Sequence, residues 1–153
     1  MSVIRFQCSG EQKAALIDGV KKIVHNHYLT SVFPNTHVEY KDEGKAVYAE
    51  RLSELMDREL FSTQDTADGV AISFDTTEEA GFAITGNVYK TDMGYCDQGL
   101  CYIDPVMDEI VAAFPDICFE AEMEVVDKWI DEQFHYSYDG DVLTKQEGMY
   151  DEE

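Results

Sequence analysis

The stretch Ile117-Cys118-Phe119-Glu120-Ala121-Glu122-Met123-Glu124-Val125-Val126 decides the reading of this chain. Ile117, Phe119, Ala121, Met123 and Val125 alternate with Cys118, Glu120, Glu122, Glu124 and Val126. That period of two is the pattern of a strand with one face on a core and the other toward water. Side chains at i and i+2 of a strand stand about 6.5–7 Å apart on the same side, so the three glutamates form a straight row of charge. Glu is a poor strand former, and like charges at this spacing repel. Two readings stay open: a solvated face rich in Glu, or charge kept for a partner.

Working outward, Phe134, Tyr136 and Tyr138 alternate next, and Asp139-Gly140 predicts a tight hairpin turn into Val142–Lys145. These aromatics either pack the core or anchor an interface. On the other side, Asp104-Pro105 predicts a helix start, with Asp at N-cap and Pro at N1, and Pro115 ends the helix after Phe114. Val106, Met107, Ile110, Val111 and Phe114 give that helix its apolar face. Thr91–Tyr102 reads as a loop. Val70, Ile72 and Phe74, then Phe82, Ile84 and Val88, predict a hairpin turning at Thr76–Glu79, with Gly86 as a bulge.

Near the start, Val3–Cys8 predicts a strand with Ile4, Phe6 and Cys8 on one face. Ser9-Gly10-Glu11-Gln12 fits a capping box, and Leu16, Ile17, Val20, Ile23, Val24 and Tyr28 place an amphipathic helix over Glu11–Tyr28. Leu29–Gly44 is irregular, with a turn at Pro34-Asn35 and an edge strand at Val38–Tyr40. A second helix is expected over Ala46–Phe61, where Leu52, Leu55, Met56 and Leu60 recur. In order this gives β-α-(insert)-β-β-α-β plus a hairpin. The expected class is α+β: a ferredoxin-like split βαβ antiparallel sheet with two helices on one face. It forms one domain over residues 1–146, followed by an acidic tail at 147–153.

Charge is divided unevenly along the chain. Residues 1–60 hold eight Lys/Arg against nine Asp/Glu, while residues 61–153 hold three against twenty-three, within a total of −21. Apolar residues make up 44% and aromatics 12%, too many for a disordered acidic tail. Such a surface is repelled by nucleic acid and by anionic lipid, so neither is expected as a direct partner. It is attracted to basic proteins, and many basic surfaces are nucleic-acid-binding clefts. Met1–Phe6 shows no apolar leader, and no run reaches the ~18–20 residues of a membrane span. A cytoplasmic protein with reduced Cys8, Cys96, Cys101 and Cys118 is the expectation.

The expected partner-binding set is Glu120, Glu122 and Glu124, extended by Asp127, Asp131 and Glu132. Asp139 and Asp141 approach from the hairpin, and Asp104, Asp108 and Glu109 add to the same field, although helix N-terminal stabilisation also accounts for these three. No catalytic motif is present: neither G-x-x-x-x-G-K nor G-x-G-x-x-G, no G-x-S-x-G and no H-E-x-x-H. The expectation is therefore not an enzyme. Cys96-x₄-Cys101 and His25-x-His27 offer zinc-ligand types, but nothing in the sequence brings the two pairs together, so no metal and no cofactor are expected. An enzyme alternative remains, a metal-dependent hydrolase using the Asp-rich loop 92–108.

In element order the chain resembles small acidic ferredoxin-like proteins encoded by phages and plasmids. The likeness rests on Arg5-Phe6 to Gly10, Phe114-Pro115-Asp116 to Phe119, and Tyr136–Gly140. In charge it resembles the anti-defence inhibitors of phages, anti-CRISPR and anti-restriction proteins that imitate DNA. That resemblance implies an inhibitor occupying the basic nucleic-acid-binding cleft of a partner, such as a CRISPR effector nuclease. The alternative is an acidic, immunity-type partner of a basic bacterial protein or toxin.

Overall fold

The alternation at 117–126 becomes a central strand of a six-stranded antiparallel sheet. The structure, a computed structural model, describes residues 2–32, 54, 61–74, 103–126 and 131–147. Its elements are β1 (Ser2–Gln7), α1 (Gly10–Val32), β2 (Phe61–Asp65), β3 (Gly69–Phe74), α2 (Ile103–Ala113), β4 (Phe119–Val126), β5 (Asp131–Tyr138) and β6 (Leu143–Glu147). The strands lie in the order β2-β3-β1-β4-β5-β6. Among the described residues this is an α+β protein whose antiparallel sheet carries α1 and α2, compatible with a ferredoxin-like class.

The register explains which face is buried. Ile4 stands opposite both Ile72 and Ala121, and Ala121 in turn stands opposite Tyr136. Phe6 likewise stands opposite Val70 and Phe119, and Phe119 opposite Tyr138. These residues are buried and share one core with Leu16, Val20 and Val24 of α1 and Val106, Met107 and Ile110 of α2. Both helices therefore cover the same face of the sheet. Phe6, Phe119 and Tyr138 run side by side across three strands, with ring centroids 5.4 and 5.6 Å apart. Tyr136 and Tyr138 belong to this core, and the Tyr138 hydroxyl donates to the Pro115 carbonyl at 2.5 Å. Burial pushes the Tyr138 phenol above its ordinary pKa.

Local chemistry sets the helix ends. The Gln12 carboxamide oxygen accepts from the Ser9 N–H at 2.9 Å, one half of the expected capping box. The Ser9 hydroxyl donates to that same oxygen, and the Gln12 N–H reaches the Ser9 carbonyl instead. Where α1 passes α2, the Phe114 ring lies so close to Gly19 that a Cβ there would stand 2.5 Å from it. Gly19 thus lets the helices approach. α2 begins at Ile103, so Asp104 is a first-turn residue and not the cap; its carboxylate is drawn to β5 and β6, as described below.

The second hairpin differs from expectation. β3 pairs with β1 on one edge and β2 on the other. Its hairpin partner precedes it: β2 leads through Thr66–Asp68, where the Thr66 N–H meets the Gly69 carbonyl at 3.0 Å. The expected helix over Ala46–Phe61 is cut at its end, because Phe61 opens β2 and stacks on Phe74. Most of that helix, the Phe82–Val88 alternation and the Val38–Tyr40 strand lie outside the described residues. No helix among the described residues is long and apolar enough to cross a membrane.

Candidate functional site

Because Ala121 and Met123 point into the core, Glu120, Glu122 and Glu124 stand on the opposite face of the sheet, away from α1 and α2. Glu120 and Glu122 are exposed and Glu124 is half-buried. The row lies near the middle of the sheet, where β1 supplies Arg5 opposite Glu120 and Val3 opposite Glu122. β5 supplies Ser137, His135 and Gln133 opposite Glu120, Glu122 and Glu124.

Two basic side chains reach the row diagonally. The Arg5 guanidinium stands 3.7 Å from the Glu122 carboxylate, and His135 Nε2 stands 3.2 Å from Glu120 Oε1. Among the described strand residues, Arg5 is the one Lys/Arg on this face, since Lys145 stands opposite Tyr136 on the helix side. A depression of about 480 Å³ opens beside the row, walled by Glu122, Glu124, Gln133, His135 and Gln146. Its polar lining presents carboxylate and amide oxygens that accept hydrogen bonds from a cation.

Of the remaining described acids of the expected set, Asp131 alone takes a register position on the glutamate side of the sheet. Glu132 pairs with Val125, a helix-side position, and is exposed. Asp131 takes a register position opposite Val126, and Asp127 lies outside the described residues. Asp139 builds the β5–β6 turn: its Oδ1 accepts from the Asp141 and Val142 N–H groups at 2.9 and 2.8 Å. Those backbone donors hold its pKa below the ordinary carboxylate value, and Gly140 supplies the positive φ of 95° that the turn needs. Asp141 is exposed at the same turn.

Asp104, Asp108 and Glu109 sit on α2, across the sheet from the glutamate row. Asp104 Oδ1 accepts from the buried Tyr136 hydroxyl at 2.6 Å and from Lys145 Nζ at 3.1 Å. The Tyr136 hydrogen bond lowers the Asp104 pKa most, burial opposes it, and the hydrogen bond and charge of Lys145 lower it further. Glu109 meets His27 of α1, and Asp108 is exposed.

Arg5 and His135 were not among the expected site residues, although Arg5 falls on the polar parity of the first strand. Placing it beside Glu122 requires knowing that β1 and β4 are neighbours. Cys96, Cys101, Asp92 and Asp97 lie outside the described residues. Among the described residues, no three His, Cys, Asp or Glu side chains group as metal ligands, and Cys8 and Cys118 are free thiols. Comparison with protein-family models, curated proteins and solved structures finds no match.

Proposed function

We propose that this chain is an acidic inhibitor whose sheet face opposite α1 and α2 occupies the basic nucleic-acid-binding cleft of a partner. The observation that carries the reading is the row Glu120, Glu122 and Glu124 on the face of the sheet opposite α1 and α2, spaced about 6.5–7 Å apart. That interval is close to the separation of successive phosphates along one nucleic-acid strand, and Lys or Arg placed to meet phosphates would meet these carboxylates. The long-range field of a −21 chain would speed the encounter, while local pairs would set the lifetime of the complex. A CRISPR effector nuclease, with its positively charged channels, is the partner class that the resemblance to anti-defence inhibitors names. The strand order β2-β3-β1-β4, with a helix after β1 and another before β4, supports a ferredoxin-like core extended by the β5–β6 hairpin.

The test is binding to such a nuclease by calorimetry, with its DNA as competitor, at two salt concentrations. Glu→Gln changes at 120, 122 and 124 remove the charge and keep the shape. Close charge pairs across an interface couple by about 1.5 kcal/mol or more, so the triple variant should bind at least about tenfold more weakly. It should also depend less on salt. Asp108→Asn, on the far side of the sheet, controls for the loss of a carboxylate elsewhere on the surface and should bind like the parent. Equal affinity and equal salt dependence for the triple variant and the parent would reduce the row to a solvated face.

A further inference from the structure

We propose that β6 is a detachable strap, fastened from the helix side by Lys145, whose release takes away one wall of the depression on the opposite face. β6 is an edge strand, paired with β5 alone among the described strands. Thr144, Lys145 and Gln146 are exposed, and Leu143 is half-buried. A segment that buries so little apolar surface opens at low free-energy cost compared with the central strands. Alternation along β6 sends Lys145 to the helix side, opposite Tyr136, and sends Gln146 to the open face, opposite His135.

Lys145 carries the fastening. Its ammonium reaches both Asp104 oxygens, at 3.1 and 3.2 Å, and lies 4.4 Å from the Phe134 ring centroid. Asp104 in turn is held by the buried Tyr136 hydroxyl at 2.6 Å. The anchor is thus tied to the core through Tyr136, and besides the β5 ladder, Leu143 and the Thr144 hydroxyl, the strap reaches it through one partly exposed cation. The next residue, Gln146, walls the depression with Glu122, Glu124, Gln133 and His135. Opening the clasp on one side of the sheet thus changes the shape of the other. This inference concerns the strap itself and does not rest on the inhibitor reading.

Hydrogen–deuterium exchange on the full chain, read by peptide mass spectrometry, tests it. In the parent, β6 amides should exchange faster than those of β1, β3 and β4. Lys145→Met should speed β6 exchange a further two- to fivefold, the range for a partly exposed ion pair, and leave the three central strands unchanged. Lys145→Arg keeps the charge and should restore the parent rate. Raising salt on the parent from about 0.1 M to about 1 M cuts the screening length from about 10 to about 3 Å. It should speed β6 selectively, an arm that needs no variant to fold. Exchange of β6 in step with the central strands, or salt and Lys145→Met acting on all strands alike, overturns the proposal.

Discussion

Asp104 shows how one carboxylate joins three elements. It lies in the first turn of α2, where the helix dipole favours negative charge, and it accepts from Tyr136 on β5 and Lys145 on β6. Hydrogen bonds to charged groups contribute about 1.5–3 kcal/mol when buried. The Asp104 side chain is 58% exposed, so solvent screening reduces the expected cost of Asp104→Asn to about 1 kcal/mol. For a chain of this length that lowers Tm by about 2–4 °C. The pH dependence follows from the lowered pKa. A depressed carboxylate contributes stability above its ordinary value of 3.8 and loses it as pH falls through the depressed value. Thermal unfolding of Asp104→Asn against the parent should therefore differ more at pH 7 than at pH 3, the gap narrowing as pH falls below 3.8. Asp108→Asn, on the same helix, corrects for removing one charge from an acidic chain. A gap of equal size at both pH values would show that the carboxylate's charge contributes nothing.

At the scale of elements, the turn from β2 into β3 depends on the absence of a side chain at Gly69. A Cβ there would stand 2.2 Å from the Phe6 carbonyl oxygen and 2.8 Å from the Cys8 nitrogen, both main-chain atoms of a neighbouring segment. Gly69→Ala should therefore cost about 1–3 kcal/mol by overpacking, measured as a lower denaturation midpoint. An unchanged midpoint would mean that the β1–β3 contact yields freely. Elements with strict periodicity were legible in the sequence: β4, the β5–β6 hairpin, α1 and α2 stand within a few residues of expectation. β2 was not, because only Phe61 of its five residues is buried and the period-2 pattern never forms. Its Phe61 was absorbed into a helical pattern upstream, and β3 was given the wrong hairpin partner. The glutamate row was legible for the reason β4 was. Arg5 and His135 were not, because cross-strand neighbours follow from sheet order, which periodicity within one strand does not contain.

For the whole molecule, 32 acidic against 11 basic residues set two opposing responses to salt. Screening weakens the ion pairs Arg5–Glu122, Lys13–Asp65, Lys22–Asp18 and Lys145–Asp104, each worth about 0–1 kcal/mol at such exposure. Screening also relieves repulsion among carboxylates that outnumber every available cation by 21. Relief should win, because excess like charge destabilises the compact state while pairs in water contribute little. Raising sodium chloride from about 0.1 M to about 1 M should stabilise the fold by about 1–2 kcal/mol, or raise Tm by about 2–8 °C. Chloride is the better choice than sulfate, since sulfate strengthens burial in any protein by exclusion from its surface. The same salt should weaken binding to a basic partner, so stability and affinity should move in opposite directions across one titration. A fall in Tm with sodium chloride would mean that the ion pairs outweigh the repulsion. The excess carboxylates would then have to be held apart or paired within the fold, and an acidic face kept for a partner would lose its energetic motive.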